Sequence, residues 1–515
     1  MKRTTISRRR FVEDSMISIM ATGSIGLLNS SAFAQEASVV PAVIGANETV
    51  GVAIIGAGGR AGDHIRGYKN NPRVKILYIC DPDSKRVEEK CSIIERELGY
   101  RPKGVADFRK ALDDKNVVAI SGATTNHWHA LASVWGLQAG KHVFMEKPLT
   151  HNIHEGKAIV AAAKKYKLVF QTGTQCRSAK NVINVVKYVH DGGIGDVKLA
   201  RGICYKRRKA IGALGDYPIP PDVNYDLWSG PAQIKPLTRK NFHYDWHWQR
   251  YYGNGDLGNQ GPHQTDIARW FLNIDRFPNA VISYGGRLGY DVEKNDPNYI
   301  DAGDAANTEV SIYDYGDRSI VFETRGLATP PILIPNVPNA GTLVGVIAYG
   351  TKGYALQGFA LKGQSYSQSA IFDLDGNLVK KFTSGENHYA NFIDAVIKND
   401  PAAVNADARC GALSAAVSHL GNISYYLNEK NKISVDELKK ELKNIKSLDD
   451  NEATLDRTVE HLRNNKVDLD KTPLSLGVLL KIDVSKEEFI DNQKANSMLS
   501  RDYRKGFEVP DPDKV

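Results

Sequence analysis

Gly56, Gly58 and Ala61 carry the first chemical signal in the sequence. The pattern Gly56-x-Gly58-x-x-Ala61 directly follows the apolar run Val50–Ile55 and opens a helical stretch that reaches Tyr68. In a strand–turn–helix of this kind Gly56 permits the tight turn, Gly58 lets the backbone approach a pyrophosphate, and Ala61 keeps the helix close to the sheet. Gly59 and Arg60 complete the loop, and phosphates rest on free N–H groups at the positive end of the helix. Asp81 closes the next apolar run, Val74–Cys80, 25 residues after Gly56. Its carboxylate suits the adenosine ribose hydroxyls and repels a 2′-phosphate, which favours NAD; Lys85 and Arg86 nearby keep NADP open. A second concentration of chemistry is His243, Trp246, His247, Trp248, Arg250 and Tyr251. Aromatic faces with polar edges suit a sugar ring, although an aromatic core patch has the same composition. His243 and His247 stand at i, i+4, but the sequence places no further ligand, so no metal is expected. Gln175, Arg177, Tyr205 and Lys206 begin the second half of the chain and are candidates to complete a substrate pocket.

The elements that must position these residues change character once along the chain. From Val50 to Thr172, strands at Val74–Cys80, Val117–Ser121, Lys141–Met145 and Leu168–Gln171 alternate with helices at Ser84–Leu98, Trp128–Ala139 and Ile153–Tyr166. That alternation predicts an α/β fold, a doubly wound parallel Rossmann sheet over residues 49–172. From Gly173 the segments Lys198–Tyr205, Asn279–Tyr284, Thr308–Tyr313 and Ser319–Arg325 follow one another without helices between most of them. They predict a C-terminal α+β domain over 173–428 with an open, mainly antiparallel sheet. Ala402–Leu427 reads as one long amphipathic helix. The charged stretch 429–475 reads as a peripheral helical insertion, and 476–515 as a tail arm whose Leu499, Tyr503 and Phe507 anchor it over the second domain.

A length of 515 residues allows two or three domains, and 42% hydrophobic with 24% charged residues excludes global disorder. No apolar run after the first forty residues is long enough to cross a bilayer. The net charge of +8 is partly local, because residues 1–34 hold five basic residues against two acidic ones. The remainder is an ordinary solubility charge, and no nucleic-acid partner is expected. Five cysteines, Cys80, Cys91, Cys176, Cys204 and Cys410, include no C-x-x-C pair, which argues against a disulfide scaffold or zinc site. At the start, Ser7-Arg8-Arg9-Arg10-Phe11, the stretch Met16–Leu28 and Ala32-Phe33-Ala34 read as a cleavable signal peptide of twin-arginine type, with 35–48 a linker. Export to the periplasm is expected. Because that pathway carries folded proteins, so is a tightly held cofactor.

Met145-Glu146-Lys147-Pro148 adds the motif that makes the whole recognisable. With the glycine loop, Thr124-Thr125-Asn126-His127-Trp128-His129, Ala139-Gly140-Lys141-His142 and Gly261-Pro262-His263-Gln264-Thr265-Asp266, the chain resembles the glucose–fructose oxidoreductase / inositol dehydrogenase family from about Val50 to Leu427. It looks like a secreted branch, through Asn224–Pro231, His243–Trp248 and Ala495–Val509. The resemblance implies a Rossmann domain paired with an α/β domain on an open antiparallel sheet, with NAD(P) bound between them and a carbohydrate substrate. It makes Lys147 the lysine that hydrogen-bonds the reacting hydroxyl and His263 the catalytic base or acid. Glu146 would orient Lys147, Pro148 would fix the loop through a cis bond, and Thr124, Asn126, His127 and Trp128 would line the cofactor. Many relatives place an aspartate where this chain has Asn259; an amide can orient but cannot take a proton, which leaves His263 as the base. Asp266 would bind substrate hydroxyls. The implied activity is hydride exchange between bound NAD and a sugar or glycoside hydroxyl. The alternative is an NAD-dependent glycoside hydrolase working by oxidation, elimination, hydration and reduction. A homo-oligomer, dimer or tetramer, is the expected assembly.

Overall fold

The computed structural model describes residues 49–515 except 334–335, 337–339, 362–367, 384 and 386. The expected signal peptide and linker, 1–48, lie outside the described residues. Six strands, β1 (Val50–Ile55), β2 (Val74–Cys80), β3 (Lys103–Val105), β4 (Ala119–Gly122), β5 (His142–Glu146) and β6 (Phe170–Gly173), form a parallel sheet in the order β3-β2-β1-β4-β5-β6. β1 is buried along its whole length, as an apolar run must be when helices cover both faces. Growth of the sheet reverses between β1 and β4, which opens a crevice beyond their carboxyl ends. The longer connecting helices are α1 (Ala61–Tyr68), α2 (Ser84–Leu98), α3 (Asn126–Gln138) and α4 (Ile153–Tyr166), with a single turn at Arg109–Leu112 between β3 and β4. α2 starts where the Asp83 side chain accepts from the Lys85 and Arg86 N–H groups, and stops at Gly99 in the left-handed region, φ 74°. A reciprocal Asn152–Glu155 capping box starts α4. β6 begins two residues later than expected, because its register is set by β5, with Gly173 opposite Glu146.

The second sheet is mixed and mostly antiparallel. β7 (Val197–Cys204) pairs in parallel with β10 (Ser319–Arg325), which is antiparallel to β9 (Thr308–Asp314), itself antiparallel to β8 (Ala280–Gly286). On the far side of β7 lie β11 (Val344–Gly350) and β12 (Gly353–Leu361), both antiparallel. One face packs Ile320, Phe322 and Tyr313 against α5 (Lys180–His190), α6 (Gly261–Phe271) and α7 (Ala408–Leu427) through Val185, Ile267, Phe271 and Val417. α7 differs from the expected helix. Asp407 caps it by accepting from the Cys410 N–H, so a short 3-10 turn at Pro401–Ala403 stands apart. Nor is α7 two-faced, since Gly411 through Tyr425 is buried.

The opposite face corrects a second expectation. The stretch 429–475 is integral to the domain. Its helices α8 (Val435–Lys443) and α9 (Asn451–Asn464) cover Ile282, Tyr284, Val310, Ile312 and Val321 with Leu438, Leu442, Leu455, Val459 and Leu462. A buried charge network joins helix to sheet: Arg201 on β7 pairs with Glu323 on β10 and with Asp449, and Glu323 also accepts from Arg325 (3.0 Å) and the Tyr205 hydroxyl (2.8 Å). Leu474–Leu476 and Leu480–Asp483 then pair with β8. As far as Leu499 the tail packs on the second domain, as expected, and from there it also reaches the first. The Leu499 carbonyl accepts from His154 N–H (2.8 Å), the Tyr503 hydroxyl meets Asn152 and Glu155 (3.0 and 3.3 Å), and Phe507 packs on Trp128.

Candidate active site

The glycine loop takes the form that its sequence requires. Gly56 has φ +89°, and a Cβ there would stand 2.5 Å from the Ala123 carbonyl oxygen. Gly58 and Gly59 leave room beside the loop: a Cβ on Gly59 would meet nothing within 4 Å, and one on Gly58 only an Arg86 guanidinium nitrogen at 3.9 Å. Ala61 is fully buried behind the loop. Asp81, at the end of β2, accepts from the Ala57 N–H (2.6 Å) and the Asp83 N–H (2.8 Å). Burial pushes its carboxyl up to about 6.

From this loop a cavity of about 530 Å³ runs to Lys147 and His263. Lys147 follows β5 and precedes a cis Lys147–Pro148 bond. Its ammonium donates to the Asn259 backbone carbonyl (2.8 Å) and lies 3.4 Å from the Asn259 amide oxygen. Burial brings it down to about 8, even though Glu146 opposes the shift. Glu146 accepts from the Arg60 guanidinium (2.7 Å) and meets His64 (3.3 Å), which ties the glycine loop to the strand that carries Lys147. Burial would raise the Glu146 carboxyl, but His64 and Arg60 outweigh it and hold the group well below the carboxylate range. His263, at the start of α6, is 8% exposed. Burial and then the Lys147 charge push it well below the usual imidazole value, so it is neutral. Its Nδ1 has no hydrogen-bond partner among the described residues.

Of the aromatic segment only His243, Trp246 and His247 among the expected residues line the cavity; Trp248 and Tyr251 lie outside it, and Arg250 pairs with Glu429 at 3.0 Å. Trp246 stacks on His247 at 3.6 Å, and both line the Lys147 end. His247 Nδ1 donates to the Tyr244 carbonyl, which leaves Nε2 as the acceptor, and burial lowers the ring to about 3. His243 lines the other end, where it meets Asp83 (2.8 Å) and Arg86 (3.1 Å). The two histidines therefore serve different partners. Among the described residues no group of His, Cys, Asp and Glu is arranged to hold a metal.

Gln175, Thr124, Asn126, Trp128 and Asn259 line the cavity as expected. Four further expected contacts do not. His127 is buried behind the wall, with Nε2 donating to the Trp228 carbonyl (3.0 Å). Arg177 and Asp266, both assigned to substrate, satisfy each other in a bidentate pair at 2.8 Å, and Asp266 also accepts from Ser414. Tyr205 belongs to the Glu323 network on the far side of the sheet. Conversely, Arg208 lines the Lys147 end, gripped by Asp256 through two nitrogens at 2.9 Å, with the Tyr244 hydroxyl 3.4 Å away. Sequence reasoning missed this pair, whose members lie 48 residues apart. The sole local signal was an arginine two residues beyond Lys206.

The comparisons with known proteins agree with this geometry. Residues 50–174 match an oxidoreductase family's NAD-binding Rossmann fold, and residues 197–284 match its C-terminal alpha/beta domain. The two matched stretches resemble, in chain order, the two domains of the Gfo/Idh/MocA oxidoreductase family. The chain's first domain is thus an NAD-binding Rossmann domain, and the open glycines, Asp81 and the long cavity fit that cofactor. Among curated relatives, levoglucosan dehydrogenase of Pseudarthrobacter phenanthrenivorans is 27% identical over 46% of this chain and 54% of its own. A glycosyl hydrolase family 109 protein of Shewanella pealeana is 26% identical over 37% and 44%. The chain spans about half the length of these curated relatives. The crystal structure of the WlbA dehydrogenase from Bordetella pertussis, in complex with NADH and UDP-GlcNAcA, shares the fold with TM-score 0.51 at 18% identity, over 72% of this chain and 95% of that one.

Proposed function

We propose that this chain is a Gfo/Idh/MocA-type NAD-dependent oxidoreductase acting on a hydroxyl of a sugar or glycoside, exported with its cofactor in place. The observation that carries the reading is the convergence of cationic Lys147 and neutral His263 on a cavity continuous with the glycine loop. Gly58, Gly59 and the start of α1 would hold the pyrophosphate and Asp81 the ribose, favouring NAD over NADP. When bound, NAD supplies the hydride acceptor. The Lys147 ammonium, with one proton on the Asn259 carbonyl, has others to offer a substrate hydroxyl and stabilises negative charge on its oxygen. His263 takes the hydroxyl proton, because its ring is neutral and lines the cavity that Lys147 also lines. Trp246 offers a face to the sugar ring, and Arg208 with the Tyr244 hydroxyl offers donors to its edge. Export rests on the leader sequence alone.

Redox-neutral glycoside cleavage is the second reading. It needs a further base for the proton beside the new ketone, and His247, neutral with Nε2 as an acceptor at the cavity, is the group that favours it. Incubating the protein with NAD and a panel of glycosides separates the two. A keto-sugar with growth of the reduced-nicotinamide absorbance supports oxidation. Free aglycone without net absorbance change supports cleavage, and no reaction together with no NAD binding would defeat both.

A further inference from the structure

The adenosine end of the cavity has a cover that comes from the second domain. Residues 222–230 cross over to the first domain, where Val223 forms an antiparallel bridge with Asp83, the Ser84 N–H donates to the Asp222 carbonyl (3.0 Å) and the Asn224 N–H to Pro82 (2.9 Å). These contacts sit directly after Asp81, and Leu227 and Trp228 line the cavity. The Trp128 indole N–H donates to the Leu227 and Trp228 carbonyls (3.0 and 3.1 Å). Contact is so close that a Cβ on Gly230 would stand 2.1 Å from that indole. The helix within the cover, Tyr225–Ser229, has five residues, too few to persist without tertiary support.

On its inner side Trp228 packs on Phe242 and Tyr252 (4.7 and 4.9 Å), and on the outside the support is the tail. Arg504 donates to the Gly230 carbonyl and the Asp226 carbonyl, both at 2.9 Å, and pairs with the Asp226 carboxylate; its N–H donates to Pro231 (3.1 Å). Phe507 sits beneath the Arg504 guanidinium (4.3 Å) and meets Trp128 edge-on (5.7 Å) and Trp135 (6.0 Å). Neither residue lines the cavity. Resting on the reading of the glycine loop as the NAD site, we propose that Arg504 and Phe507 are positioning residues that set the lifetime of bound NAD by pinning the 222–230 cover over its adenosine end.

The test compares the full chain with an R504A/F507L double variant and with F507L alone, which keeps most of the volume but deletes the ring contacts. NAD dissociation is followed by stopped-flow displacement, and nucleotide carried through purification is weighed after denaturation. Expected are a dissociation rate at least tenfold faster in the double variant, a matching rise in KM for NAD, kcat within twofold at saturating NAD, and recovery of slow release in F507W. A folded double or single variant that releases NAD at the wild-type rate overturns the proposal. Wild-type protein that binds no NAD would instead remove the site reading on which it rests.

Discussion

An amide faces the Lys147 ammonium at position 259, where a carboxylate would hold the cation by charge. Burial therefore controls the lysine, and its proton leaves at about pH 8. If the cationic form assists and neutral His263 is the base, kcat/KM for oxidation should be level through neutral pH and fall as pH rises through about 8. A rate that climbs there would make neutral Lys147 the base instead. Asn259→Asp should move the falling limb upward by about one pH unit, as an opposite charge within hydrogen-bond reach does. Lys147→Ala and His263→Ala should each cost about 10²–10⁴-fold in kcat/KM with the fold intact by circular dichroism. The residues of short contiguous motifs were legible in the sequence because strand end, turn and helix start put neighbours in chain beside one another. Arg177 and Asp266 were misassigned for the converse reason: composition shows a charge but not its partner, and each satisfied the other across 89 residues.

At the scale of elements, the glycine loop and the charged insertion make different demands. Gly56→Ala forces a side chain into left-handed backbone against the Ala123 carbonyl, and should weaken NAD binding measured by calorimetry more than it lowers the melting temperature. Leu455→Ala, deep under α9, should cost about 2–5 kcal/mol in denaturant unfolding. A change near zero would return the insertion to the periphery. The first domain's elements could be read because apolar strands buried on both faces leave unbroken runs. α8 and α9 are mostly polar, with their few leucines spaced along one face, and nothing local says that a sheet face awaits them.

For the whole molecule, the Arg201–Glu323–Asp449 network ties the sheet to its outer layer. Burial favours the protonated Glu323 carboxyl, but Arg201, Arg325 and Arg457 prevail and bring it down to about 2. A carboxyl depressed in the folded state contributes stability that is complete above its ordinary value near 4.5 and is lost as pH falls toward about 2. Glu323→Gln should cost about 3–5 kcal/mol at neutral pH and flatten that acid limb. The tail's anchorage has a consequence for how the molecule is made. Translation runs from low residue numbers to high, so every side chain lining the nucleotide cavity leaves the ribosome before Arg504 and Phe507. A nascent chain stalled short of residue 500 should thus offer an open cradle that captures and exchanges NAD quickly. Emergence of Arg504 and Phe507 would convert that exchange into entrapment, so nucleotide supply during synthesis would decide how much of the protein is loaded.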